Sequence, residues 1–212
     1  MICAVAQTDL TLQAGTLTAL SGPSGSGKST LLHMFAGLLP PDGGQILLND
    51  TDLYSLEDQE LSRIRNQSIG IIPQGQSTLQ SLNILENVLV PYTLYRKTKG
   101  AEGMRIVNRA KELLEKAGIG ELGEEMPSEL SGGELRRMAV CRALLLEPDI
   151  LLADEPTGDL DEDNTRIVMS LLKDHAKAGG TVFVVTHDRQ VWEYADRLLE
   201  MKQGVISALN HI

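Results

Sequence analysis

The sequence predicts an α/β protein: a parallel sheet covered by helices on both faces, with a helical stretch inserted into it. Three observations carry that prediction. Short, nearly all-apolar runs, TLTAL (16–20), SIGII (68–72), DILLAD (149–154) and TVFVVT (181–186), alternate with helical patterns, as strands buried on both faces of a parallel sheet do. A loop of small residues, SGPSGSGKST (21–30), starts at the end of the first run. From about residue 76 to 147 strand signals vanish and helical patterns such as AEGMRIVNRAKELLEKAG dominate.

The elements follow in order. TLTAL reads as a strand, and a helix runs from about Lys28 to Ala36. LLPPDGGQILLND is a Pro/Gly turn leading into a strand, and SIGII is a short strand ended by Pro73. After the helical stretch, DILLAD and TVFVVT are strands separated by a helix from about 162 to 178, and RLLEMKQGVISAL is a final strand-like run. With 212 residues the chain has room for one substantial core. The expected organisation is a single domain over 1–212, with a core of approximately 1–75 and 148–212 and a helical subdomain of approximately 76–147.

A formal net charge of −10 argues against nonspecific nucleic-acid binding, which needs a basic face. The two cysteines, Cys3 and Cys141, offer neither a disulfide framework nor a zinc pattern. Cys141 lies in the helical run MAVCRALLL and is expected to be a small buried thiol. MICAVAQTDL lacks the basic flank and apolar segment of a signal peptide. No apolar run approaches the roughly 18–20 residues that span a bilayer. A cytoplasmic protein is expected, held at a membrane only by a partner.

The small-residue loop carries the first chemistry. Gly22, Gly27, Lys28 and Ser29 fit G-x-x-x-x-G-K-[ST] in full. Glycines let successive backbone N–H groups turn inward on phosphate oxygens, and the following helix adds its positive end. Gly22, Pro23, Ser24, Gly25, Ser26, Gly27, Lys28, Ser29 and Thr30 are the candidate phosphate contacts. Lys28 would reach the β- and γ-phosphates, and the Ser29 hydroxyl would ligate Mg²⁺. A flexible Gly/Ser linker would explain the composition, but not a Lys-Ser pair set between a strand and a helix. DILLADEP (149–156) supplies a carboxylate at a strand's end, where ligands bind in open α/β sheets. Asp154 would hold the metal through water, and Glu155 would polarise the attacking water. Two solvated acids after a strand are the plainer alternative for this run alone.

LSGGE (130–134) is a second small-residue helix start. A Ser-capped helix with Glu134 closing a capping box would account for Ser131 and Glu134. It would not account for the paired glycines Gly132 and Gly133.

With these residues in hand, the chain resembles the ATP-binding cassette (ABC) ATPases over nearly its whole length. GPSGSGKS resembles their Walker A loop, ILLADE their Walker B strand and LSGGE their signature motif. The resemblance implies a P-loop NTPase (RecA-like) core with an inserted α-helical subdomain, and ATP and Mg²⁺ as ligands. Gln74 resembles the Q-loop glutamine, which contacts Mg²⁺ and the attacking water. Asp161 in GDLD resembles the D-loop aspartate, and His187 in VVTHD the switch histidine that contacts the γ-phosphate. Glu155, His187 and Gln74 are thereby the expected catalytic residues, and Ser29, Gln74 and Asp154 the expected metal contacts. Ser131, Gly132, Gly133 and Asp161 would meet nucleotide from a second ATPase subunit in a head-to-tail homodimer.

The motifs MPSELSGGE, ADEPTGDLD and LNILENVLVPY resemble the branch of lipoprotein-release and macrolide- or peptide-export ATPases. Asp159 stands where that branch usually has asparagine, and Gly75 and Gln76 stand where it often has an aromatic. The resemblance also implies an adenine-stacking aromatic ahead of the phosphate loop. Here the first aromatic is Phe35, inside the loop's own helix. The N-terminal β-subdomain is therefore read as shortened, with Val5 as the apolar residue near the loop. The implied partner is an integral membrane permease subunit, with the chain peripheral on the inner face of the cell membrane and no nucleic acid bound. An ATP-dependent regulatory cassette of a cell-division or cell-wall membrane complex is the alternative. A soluble ABC protein of DNA repair or translation is a third class, whose members usually carry two cassettes or long coiled-coil insertions.

Overall fold

The apolar runs pair into one sheet. The structure is a computed structural model that describes residues 3–75, 77–95 and 100–209. The elements in chain order are β1 (Leu17–Ser21), α1 (Lys28–Phe35), a short hairpin of β2 (Leu47–Leu48) and β3 (Thr51–Asp52), α2 (Asp58–Gln67) and β4 (Ile69–Ile72). Then come α3 (Ile84–Tyr95), α4 (Ala101–Lys116) and α5 (Gly132–Leu144), followed by β5 (Ile150–Asp154) and α6 (Glu162–Lys177). The chain continues with β6 (Thr181–Val185), α7 (Arg189–Trp192), β7 (Arg197–Lys202) and β8 (Val205–Ala208). The sheet order is β4-β5-β6-β1-β7-β8. Every pair is parallel except β7 with β8.

Strand alternation explains the two cores. Along β5 and β6, Leu151, Ala153, Val182 and Val184 face one layer with α3 to α6, whereas Ile150, Leu152, Phe183 and Val185 face the other with α1. All of these residues are buried, so the strands are apolar on both faces, as a doubly covered parallel sheet requires. In the second layer Phe35 meets Phe183 edge to face, with centroids 5.4 Å apart.

Three features depart from the sequence expectation. RLLEMKQGVISAL is a hairpin rather than one strand, because Gln203 and Gly204 both take positive φ and turn the chain. The strand after the Pro/Gly turn is only two residues long and pairs with β3. The α2 helix was not anticipated. None of its residues is fully buried, Leu61 and Ile64 alone of its apolar residues pack partly against the core, and its start is marked only by Asp58 and Glu60 in the first turn. Gln76, the first residue of the expected helical subdomain, lies outside the described residues. Among the described residues no helix is long and apolar enough to cross a membrane.

Candidate functional site

The strands β4, β5, β6 and β1 are neighbours and parallel, so their carboxyl ends lie along one edge of the sheet. Each delivers a predicted residue there: Gly22 follows β1, Gln74 follows β4, Asp154 ends β5 with Glu155 next, and His187 follows β6. Together with residues 22–30 they line one cleft of about 730 Å³.

The loop's shape depends on two glycines. Gly27 has φ +106°, and a Cβ there would run into the Ala4 carbonyl oxygen. Gly22 has φ +147°, and a Cβ there would strike the Met201 carbonyl. Only a residue without a side chain fits either place. The loop is tied down from behind: Gly204 donates to the Ser26 carbonyl at 3.0 Å, and Ala6 donates to the Gly204 carbonyl at 2.9 Å. Lys28 Nζ donates to the carbonyls of Gly22 and Pro23 at 2.8 and 2.9 Å, which holds its ammonium across the loop. The buried Ser26 hydroxyl has no partner among the described residues. A curled backbone, a centred ammonium and an unspent hydroxyl suit a polyphosphate.

Ser29 Oγ donates to Asp154 Oδ2 at 2.9 Å, across 125 residues of chain. Asp154 is buried at the strand end, with Gln74 lining the same cleft. No cluster of three acidic, histidine or cysteine ligands exists among the described residues. The donor set is thus hard oxygen with one carboxylate, which fits Mg²⁺ completed by phosphate oxygens.

Glu155 sits at φ +48° at the end of its strand. Its carboxylate accepts from Thr186 Oγ1 at 3.0 Å and lies 2.8 Å from His187 Nδ1. The hydrogen bond and charge of Glu155 raise the His187 pKa above its usual value. Thr186 is fully buried, and its hydroxyl also accepts from the Asp188 amide at 3.0 Å. Sequence reading missed Thr186; its only signal was a hydroxyl residue at the end of an apolar run, just before the histidine.

The remaining predicted residues lie elsewhere. Ser131, Gly132, Gly133 and Asp161 do not line the cleft. Ser131 caps α5: Glu134 Oε2 accepts from its amide and its hydroxyl, each at 2.7 Å, and these bonds lower the Glu134 pKa. Asp161 caps α6 by accepting from the Asn164 amide at 2.8 Å, which lowers its own pKa. The two helix starts adjoin, since the Asn164 side chain comes to 3.3 Å from where a Gly133 Cβ would sit. At the other end of the cleft Val5 packs against the core, and Cys3, Ala4, Gln203 and Gly204 form the lining instead.

A family profile described as ABC transporter matches residues 5–158. The lipoprotein-releasing system ATP-binding protein LolD of Shewanella frigidimarina is 41% identical over 202 residues, covering 95% of this chain and 83% of that protein. The macrolide export ATP-binding/permease protein MacB of Shewanella sp. (strain W3-18-1) is 38% identical over 198 residues, covering 93% of this chain and 30% of that longer protein. Among solved structures, the dimeric structure of MJ0796, a bacterial ABC transporter cassette, matches with TM-score 0.89 at 35% identity, covering 100% of this chain and 93% of the other. The post-hydrolysis dimer of the same cassette, bound to ADP and Pi, matches with TM-score 0.88 at 34% identity over the same shares.

Proposed function

The chain belongs to the ABC transporter family and is an ATPase of that family, and from this premise we propose that it energises a membrane complex of the lipoprotein-release or export type. The observation that carries the reading is the convergence of Lys28, Gln74, Asp154, Glu155 and His187 in one cleft at the sheet's carboxyl edge. Relatives named for lipoprotein release and macrolide export support this branch over a division or cell-wall cassette.

In this reading residues 22–30 bind the triphosphate. Ser29, Asp154 and Gln74 would hold Mg²⁺, which would neutralise phosphate charge. Water attacks the γ-phosphorus, the bond to the β–γ bridging oxygen breaks, and ADP and phosphate leave. Glu155 orients that water and takes its proton, a role worth about 10²–10⁴-fold in rate. Positioning and charge stabilisation supply the rest. The helices between β4 and β5 belong to the subdomain of approximately 76–147, set in a core of approximately 1–75 and 148–212.

Ser131, Gly132, Gly133 and Asp161 lie outside this chain's own cleft, and in this reading they meet nucleotide on a second subunit. ATP then bridges a head-to-tail homodimer, and loss of the γ-phosphate loosens it. The chain sits on the cytoplasmic face of the cell membrane through a permease subunit.

The test is a pull-down from gently extracted membranes with tagged Glu155→Gln, ATP and Mg²⁺. Recovery of a membrane subunit with few spans and a large external domain supports the proposal. Recovery of a division or cell-wall protein refutes it in favour of the regulatory cassette.

A further inference from the structure

Gln74 is exposed on a short loop after β4, yet the loop is gripped at both ends. Arg136 Nη1 donates to the Pro73 carbonyl at 2.9 Å. Arg142 Nη1 donates to the Ser77 carbonyl at 2.7 Å, and its Nη2 donates to the Ser77 hydroxyl. Both arginines lie on α5, the helix that Ser131 caps. Their guanidinium groups are partly buried, where unmade hydrogen bonds are costly. Six residues along a helix rise about 9 Å, which lets one rigid element reach both ends of residues 73–77. Burial lowers the Arg136 pKa from its usual value, and the charge of Asp159, in the turn before α6, opposes that shift.

We propose that Arg136 and Arg142 are positioning residues that tie Pro73 and Ser77 to α5 and so hold Gln74 at the cleft. The clamp rests on the reading of Gln74 as a working residue of the ATPase site.

The experiment compares Arg136→Ala, Arg136→Lys, Gln74→Ala and the double variant Arg136→Ala/Gln74→Ala in the full chain. It measures kcat and KM for ATP, the Kd for nucleotide, and amide hydrogen exchange over residues 73–77. Arg136→Ala is expected to lower kcat about 10-fold while KM and Kd stay within about twofold. Exchange over 73–77 should rise, and Arg136→Lys should recover most of the rate. In the Gln74→Ala background the arginine change should cost under about twofold.

Additive losses in the double variant, or unchanged exchange over 73–77, would overturn the clamp. Full kcat in Gln74→Ala alone would instead overturn the reading of Gln74 on which the clamp stands. For the second arginine, Ser77→Ala removes one clamp bond without emptying the space of a half-buried guanidinium. It is expected to raise exchange over the same residues with Kd unchanged, and no rise would remove Arg142 from the proposal.

Discussion

His187 Nδ1 lies 2.8 Å from Glu155 Oε1, joining an exposed imidazole to a carboxylate only 14% exposed. The carboxylate raises the histidine pKa above 6.5 by hydrogen bonding and by charge. The pair's contribution is therefore full below the unfolded value near 6.5 and is lost as pH rises through the higher folded value. NMR titration of His187 should give a midpoint above 6.5 in the native chain and a lower one in Glu155→Gln. An identical midpoint in both would remove Glu155 as the cause.

Gly27→Ala places a methyl group on the Ala4 carbonyl in a backbone conformation that L-residues avoid. A loss of about 1–3 kcal/mol in stability is expected, read as a lower midpoint of chemical unfolding. ATP affinity should fall at least 10-fold, because the same loop presents the phosphate-binding amides. Gly25→Ala is the control. That position also has positive φ but meets nothing within 4 Å, so it should show backbone strain without the collision.

Base recognition should be weak. Besides the phosphate loop and Gln74, Asp154, Glu155 and His187, the cleft is lined by Cys3, Ala4, Gln203 and Gly204, with no Phe, Trp or Tyr among the described lining residues. Aromatic stacking on a base is worth about 1–3 kcal/mol. GTP should therefore displace a fluorescent ATP analogue at concentrations within about fivefold of ATP. Cys3→Tyr should tighten both nucleotides about fivefold or more. A sharp preference for ATP in the native chain would contradict this.

The two thiols should separate cleanly. Cys3 is exposed, whereas burial pushes the Cys141 thiol up to about 12. A thiol-reactive chromophore at neutral pH should label one cysteine in the folded chain and two in denaturant. Two rapid equivalents in the folded chain would contradict the buried packing of α5.

The strands and the phosphate loop were legible because each depends on local pattern. An apolar run or a glycine spacing is written in consecutive residues, so β1, β5 and β6 fell close to their expected bounds. The α2 helix was not legible, since its face rests against the rest of the chain without burying any residue. Thr186 and the arginine clamps were hidden for another reason. Their partners, Glu155, Pro73 and Ser77, lie 31 to 65 residues away, and no spacing rule links them. The Gln203–Gly204 turn was readable as a Gln-Gly step, but the apolar residues on both sides masked it as one strand.

Ser29 on α1 meets Asp154 at the end of β5 across 125 residues, so the two leave the ribosome far apart, with β6 still to follow. A nascent chain thus carries its complete phosphate loop long before it owns a nucleotide site. Until Gly204, which ties down the phosphate loop and lines the cleft, has emerged, the site that ATP would grip is unfinished. Once β6 slots between β1 and β5, cellular ATP stabilises the completed protein by mass action. Bound nucleotide can therefore stabilise the fold only after the strands that line its site have paired.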